Sequence, residues 1–160
     1  MNIVIFGCDN SGKTTLAKTI DSFIGGYIHS PGPLKDVEQQ KKFIDNNIDL
    51  NIVNIFDRFP IIEESVCGAV LRNYNNFENE IEYVNNTLDK IDLFIYCFPG
   101  IDSIIGWGDR EQMTGIKENV MDLISGYDEF YNFLKDTGRP VVLYDYNKSG
   151  SLIKFDEVDN

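Results

Sequence analysis

Residues 7–15 read Gly7-Cys8-Asp9-Asn10-Ser11-Gly12-Lys13-Thr14-Thr15 and satisfy the pattern G-x-x-x-x-G-K-[ST] at every defined position. The flanks supply the context that pattern needs. Ile3-Val4-Ile5-Phe6 is a short apolar run of the kind that forms a buried strand, and Leu16, Ala17, Ile20, Phe23 and Ile24 recur at helical spacing after the loop. Strand, glycine-bearing loop and helix therefore follow in the order that lets backbone N–H groups and a helix N-terminus converge on one anion. Lys13 adds a full positive charge, and the Thr14 hydroxyl is placed to reach a metal ion. The stretch predicts a phosphate-binding loop.

Further strands and helices alternate along the rest of the chain. Gly25-Gly26 stops the first helix, Tyr27-Ile28-His29 is a short second strand, and Ser30-Pro31-Gly32-Pro33 is a loop because proline forbids a regular ladder. Leu34 to Ile44 is predicted helical. Ile52-Val53-Asn54-Ile55-Phe56 is the next apolar strand and runs into Asp57-Arg58-Phe59-Pro60. Ile61 to Arg72 reads as a helix with Pro60 near its first turn. After a polar loop, Ile81, Val84, Leu88 and Ile91 form a helical stripe, followed by the strand Leu93-Phe94-Ile95-Tyr96-Cys97. Residues 100–115 carry Gly100, Gly106, Gly108 and Gly115 with Trp107 and Asp109-Arg110-Glu111, which predicts a short helix leading into a lid-like flap. Ile116 to Leu134 is the longest helix, ended by Gly138 and Pro140, and Val141-Val142-Leu143-Tyr144 is the last strand. Strands expected to be buried on both faces, alternating with amphipathic helices, predict one α/β domain over 1–160 with a mainly parallel sheet.

Charge narrows the ligand. Acids outnumber bases 26 to 14, a formal net charge of −12, so a long nucleic acid is repelled unless basic side chains gather in one place. The longest basic run is Lys41-Lys42, and a small anionic substrate suits the chain better than a polymer. Cys8, Cys67 and Cys97 are widely spaced, and His29 is the single histidine, which argues against a zinc site or a disulfide framework. No apolar run reaches membrane-spanning length, and the start has neither the charge nor the length of a signal peptide. These features lead to the expectation of a cytoplasmic protein.

Phosphoryl transfer requires a cradle for the donor phosphates, a metal held by a hydroxyl and a carboxylate, and positive charge on the moving and accepting groups. Each requirement has a candidate. Lys13 and the loop amides cradle the donor, Thr14 and Asp57 hold Mg²⁺, and Arg58 clamps an acceptor phosphate. Arginine occurs only at 58, 72, 110 and 139, which makes Arg110 in the flap the candidate to close over the transferring group. Ligands in open parallel sheets sit beyond the carboxyl ends of the strands, so Asp57 and Arg58 should emerge beside the phosphate loop.

Taken together, Gly7-x-Asp9-x-Ser11-Gly12-Lys13-Thr14-Thr15, then Asp57-Arg58-Phe59 with Ser65 beyond it, then a flap bearing glycine and arginine before a long helix, resembles the thymidylate kinase and deoxynucleoside kinase group of P-loop kinases. The compact size and Asp57-Arg58-Phe59-Pro60 are similar to the small members encoded by bacteriophages. The resemblance implies a three-layer P-loop kinase fold, a five-stranded sheet of order 2-3-1-4-5, ATP as donor and Mg²⁺ as cofactor. ATP then falls on Gly7, Asp9, Asn10, Ser11, Gly12, Lys13, Thr14 and Thr15. It places Asp9 near the acceptor sugar hydroxyl, Arg58 on the acceptor phosphate and Phe59 at the acceptor pocket, with Phe43 and Gln39 as counterparts of the residues that hold the base. Phe6 stands where thymidylate kinases commonly have Glu, and the flap has Arg110 alone where family lids often have several arginines. Related kinases are often homodimers through helices beside the sheet.

The reaction expected is ATP-dependent phosphorylation of a deoxynucleoside monophosphate. The alternatives are a deoxynucleoside kinase and a kinase acting on a modified base in DNA. Two further readings compete. Asn147-Lys148-Ser149-Gly150 begins like the guanine-reading N-K-x-D motif of switch GTPases but has Gly in place of Asp, and a non-catalytic nucleotide binder would have no use for Arg58.

Overall fold

A computed structural model describes residues 1–32, 34–106 and 115–148. Its frame is a five-stranded parallel sheet in the order β2-β3-β1-β4-β5, the order the resemblance implied. The strands are β1 (Asn2–Phe6), β2 (Tyr27–His29), β3 (Asn54–Asp57), β4 (Leu93–Cys97) and β5 (Val141–Tyr144). The helices are α1 (Lys13–Ile24), α2 (Val37–Asn47), α3 (Pro60–Glu63), α4 (Ala69–Arg72), α5 (Ile81–Leu88), α6 (Ile101–Ile105) and α7 (Val120–Asp136), and a π-helical turn, Glu64–Gly68, joins α3 to α4.

Side-chain alternation along the central strands divides the core into two layers. Ile3, Ile5, Ile55, Ile95 and Cys97 face α1 and meet Leu16, Ala17 and Ile20. Val4, Phe6, Phe56, Phe94 and Tyr96 face the other way into a larger cluster with Ile44 of α2, Ile62 and Val66 of the segment after β3, and Leu123, Ile124, Tyr127 and Leu134 of α7. Burial on both faces holds for β1, β3 and β4. The two edge strands depart from the expectation: β2 is largely exposed and β5 is at most half-buried.

Several other details differ from the sequence reading for local reasons. Asp36 caps α2 by accepting from Gln39 N at 2.9 Å, so that helix begins at Val37 and not Leu34. The strand expected from Ile52 begins at Asn54, with Val53 O already accepting from Tyr27 N–H at 2.9 Å. Phe23, Ile24 and Ile81 sit on helical stripes yet are exposed, at helix ends beyond the cover of the sheet. The helix expected over 61–72 runs from Pro60 but widens into the π turn at Glu64–Gly68. Gly126 of α7 explains the closeness there, since a Cβ on it would lie 2.9 Å from Val66 Cγ1. α7 itself starts at Val120. Among the described residues no helix is long and apolar enough to cross a membrane.

Candidate active site

The phosphate loop joins the carboxyl end of β1 to α1 through backbone that few side chains tolerate. Gly7 has φ +137°, and a Cβ on it would lie 2.4 Å from Cys97 O at the end of β4, so only glycine lets the loop pass so close to the neighbouring strand. Asn10 and Gly12 are also left-handed, with φ of 67° and 90°. Gly12 occupies the N-cap of α1 with no side-chain cap and no acidic residue in the first turn, which leaves the helix's leading N–H groups to an anion. Lys13 Nζ lies beneath the loop and donates to Gly7 O at 2.8 Å and Cys8 O at 2.6 Å. An ammonium has three protons to give, so one remains for a phosphate oxygen.

Across the loop, the Thr14 hydroxyl donates to Asp57 Oδ2 at 2.6 Å. The other carboxylate oxygen, Oδ1, is buried without a hydrogen-bond partner, as are Ser11 Oγ and Asn10 Nδ2. A buried carboxylate oxygen left unpaired is costly, and a cation beside Thr14 and Asp57 would satisfy it. One carboxylate and one hydroxyl are the donor set Mg²⁺ uses when phosphates and water complete its octahedron, so the residues present fit Mg²⁺.

Arg58 follows Asp57 with φ +79°, a conformation rare for a residue with a side chain. Its N–H still bonds Ile5 O at 3.2 Å, which holds the twisted residue against β1. The turn carries the guanidinium to Asp9 of the phosphate loop, with Nη2 2.7 Å from Oδ1 and both side chains partly buried. Burial lowers the Arg58 pKa and Asp9, then Glu63, raise it, with the net shift upward.

Glu63 is the second carboxylate here. Tyr127 Oη donates to it at 3.3 Å from each oxygen, and Cys67 Sγ lies 3.6 Å from Oε2 and 3.3 Å from Tyr127 Oη. Burial pushes the Glu63 pKa up against the pull of Lys13 and Arg58. π turns recur at functional sites, and this one sets Cys67 against Tyr127. On the α6 and α7 side of the loop, a cavity of about 230 Å³ is walled by Ile104, Ile105, Ile116, Val120 and Leu123, with Cys8, Asp9 and Lys117 supplying its other lining.

Solved structures share this architecture. The YorR protein of Bacillus subtilis, solved in complex with phosphorylated GDP, superposes with a TM-score of 0.72 at 15% identity, over 92% of this chain and 87% of that one. Deoxyadenosine kinase from M. mycoides, with the products dCMP and a flexible dCDP bound, gives 0.60 at 23% identity over 92% and 90%. Thymidylate kinase from Candida albicans gives 0.54 at 14% over 91% and 83%. The chain has the P-loop kinase fold. No protein-family model and no curated protein matches the sequence.

On this P-loop kinase frame the predicted site residues separate into three groups. Asp9, Lys13, Thr14, Asp57 and Arg58 come together at the carboxyl ends of β1 and β3. Phe59 and Phe43 lie elsewhere. Phe59 is fully buried with its ring edge against Phe56 at 5.2 Å, and Phe43 is half-buried against Phe56 and His29. Gln39 is exposed, with its side chain on Lys35 N at 3.3 Å. Arg110 and Trp107, with the rest of 107–114 in the flap, lie outside the described residues, as does the tail from 149.

The remaining candidates have structural work. His29 stacks on Phe56 at 4.9 Å and meets Asn54 Oδ1 at 3.0 Å. Arg72 is bonded to buried Glu64, and Arg139 to Asp89 and Asn85. Asn147 gives its amide protons to Pro99 O and Ser103 Oγ, which ties the loop after β5 to α6 and removes the group a guanine-reading motif would use. Phe6, in the position of the family's Glu, is fully buried between Tyr96 and Phe130. Sequence reading missed Glu63, Cys67 and the partnership with Tyr127. Its one signal was the adjacent pair Glu63-Glu64 inside a mostly apolar helix.

Proposed function

We propose that this chain is a nucleotide kinase that transfers the γ-phosphoryl group of ATP to a deoxynucleoside monophosphate. One observation carries the reading: Thr14 with Asp57, and Arg58 with Asp9, lie on the two neighbouring strand ends that flank one phosphate loop. A donor site alone needs the first pair. The second has no purpose in a nucleotide binder that transfers nothing, and it is held by backbone strain of the kind that collects at functional sites.

In this reading the loop amides and Lys13 bind the donor's phosphates and hold them still while charge redistributes in transfer. Thr14 and Asp57 hold Mg²⁺, which when bound neutralises charge on the phosphate oxygens. Arg58 orients the acceptor, its planar fork making two bonds to a phosphate, and Asp9 faces the acceptor hydroxyl from the loop. The apolar cavity beside Asp9 suits a flat heterocycle, with Ile104 and Val120 as its walls.

A second reading is favoured by a specific feature. Asp9 and Glu63 place two carboxylates around Arg58, and a neutral acceptor, such as a deoxynucleoside or a modified base in DNA, would leave the Arg58–Asp9 pair intact. A phosphate acceptor must instead compete for Arg58.

An ATP-dependent phosphorylation assay over deoxynucleoside monophosphates, deoxynucleosides and DNA tests both. Turnover of monophosphates supports the first reading, turnover of the other acceptors alone supports the second, and ATP binding without transfer to any of them defeats the kinase assignment.

A further inference from the structure

At the edge of the sheet opposite β5, β2 presents backbone in a particular arrangement. Its register with β3 is Tyr27↔Asn54, Ile28↔Ile55 and His29↔Phe56, and Tyr27 N–H is given inward to Val53 O at 2.9 Å. The N–H and C=O of one strand residue point to the same side, and successive residues alternate. Tyr27 and His29 therefore direct theirs toward β3, and Ile28 directs both outward. Such a residue is self-complementary, because a two-fold axis beside it allows Ile28 of one copy and Ile28 of a second to exchange N–H···O bonds in both directions.

Proteins usually guard an open edge with lysine, other charges or a covering element. Among the described residues β2 has no such guard, and Tyr27 and Ile28 are exposed. Both Ser22 to Leu34 and Leu50 to Phe56 are free of charged residues, on a chain whose formal charge is −12. Two copies of so acidic a protein repel wherever their carboxylates meet, and these segments bring none to the edge.

The same region holds the largest exposed apolar side chains of this end of the molecule. Phe23 is 65% exposed, Tyr27 63% and Leu50 72%, joined by Ile24, Ile28 and Ile52. A specific interface takes about 800 Å² from each partner, and an aromatic side chain covers about 150–250 Å². Two largely exposed rings with four aliphatic neighbours supply most of that area. His29 faces the α2 side through Phe56, so Tyr27 shares that face and Ile28 points to the α1 side. A paired strand would carry an apolar layer on both faces.

We propose that β2 is the seam of an isologous homodimer in which the two β2 strands pair antiparallel through Ile28 and the sheets of two chains become continuous. Phe23, Tyr27 and Leu50 close over the seam. This places the dimer contact on a sheet edge, away from the helices beside the sheet and on the far side of β3 from the phosphate loop.

Sedimentation of the full chain tests it. The wild type should run at twice its 18.3 kDa, dissociating on dilution. Ile28→Pro, which deletes only the outward N–H, and Tyr27→Lys, which puts a cation at the seam, should each halve the mass. Circular dichroism and ATP binding should stay unchanged. Amide exchange at Ile28 should slow with protein concentration. A monomeric wild type throughout the micromolar to submillimolar range would overturn the proposal, and so would a dimer that survives Tyr27→Lys in a folded variant. Fast exchange at Ile28 in a dimeric wild type would place the contact elsewhere and overturn it as well, without needing any variant to fold.

Discussion

The Thr14 hydroxyl sits 2.6 Å from Asp57 Oδ2, and this one bond fastens the first turn of α1 to the end of β3. Asp57 then has its second oxygen buried and unpaired, a cost accepted at the one place where a cation would remove it. Asp57→Asn keeps the bond to Thr14 through its carbonyl oxygen and loses the charge. Groups that stabilise charge in a transition state contribute about 10²–10³ in rate when removed singly. Turnover should fall by about that factor, while calorimetry with ATP in the absence of Mg²⁺ should register little change. Full turnover in Asp57→Asn would remove the metal role from this residue.

Lys13→Ala tests the donor side. It takes away the one full positive charge in the loop and leaves Gly7 O and Cys8 O without the donor they share. Transfer should be lost, and stability should fall by about 1–3 kcal/mol from the carbonyl of Gly7, since Cys8 O keeps the Ser11 N–H at 3.3 Å. Near-normal turnover in the folded variant would be incompatible with a phosphate loop that works through Lys13.

Arg58 tests the acceptor side of the proposed reaction and carries a strained backbone. Replacing it by Met keeps the length of the side chain and removes the fork, and should lower kcat/KM for a deoxynucleoside monophosphate at least about tenfold, from hydrogen bonds to charged groups of about 1.5–3 kcal/mol. Arg58→Gly adds a separate readout. Glycine relieves the φ of +79°, which offsets part of the loss of the partly buried pair with Asp9. Activity should therefore fall by far more than stability does. A large drop in stability would show that Arg58 is kept for the fold.

Much of this architecture is legible in the sequence. The G-x-x-x-x-G-K-[ST] pattern fixed β1, the loop and α1 because each position has a local physical requirement, from Gly7 against Cys97 O to Thr14 facing Asp57. Asp57 and Arg58 were placed correctly because a strand of known polarity must deliver its last residues to the same edge of the sheet. Glu63 and Tyr127 were not legible as a pair. They lie 64 residues apart, and their meeting depends on a π turn that shifts Cys67 and on Gly126 admitting Val66. The packing of the aromatics was not legible either. Phe59 follows Arg58 directly, but the left-handed turn at Arg58 breaks the alternation of the strand, and its ring lies in the core beside Phe56.

The cysteines should be chemically quiet. Burial pushes the thiols of Cys8, Cys67 and Cys97 up to about 12 each, with Lys13 only partly opposing this at Cys8 and Cys97. Thiolate is the reactive form, so alkylation of the folded protein at neutral pH should be slow at all three sites and rapid in urea. Mass spectrometry of the alkylated protein reads this directly. Prompt modification of Cys8 in the folded state would mean that the phosphate loop opens far more than its packing suggests.

Glu63 gives the fold a pH signature. Its pKa is raised from an ordinary value of 4.5 by burial, with Asp9 adding to the rise and Lys13 and Arg58 opposing it. The folded chain therefore binds this proton more tightly than the unfolded chain does. The stability it contributes is fully present below 4.5 and is lost as pH climbs through the raised folded-state value. Glu63→Gln removes the titration and still offers an oxygen to the Tyr127 hydroxyl. Relative to the wild type, the variant should gain stability between acid and neutral pH, which urea unfolding across that range measures. A difference between the two proteins that does not vary with pH would mean that Glu63 titrates alike in the folded and unfolded states. Tyr127→Phe removes a donor to the ionised carboxylate, so the loss of stability with rising pH should steepen, whereas a simple cavity would lower stability equally at every pH.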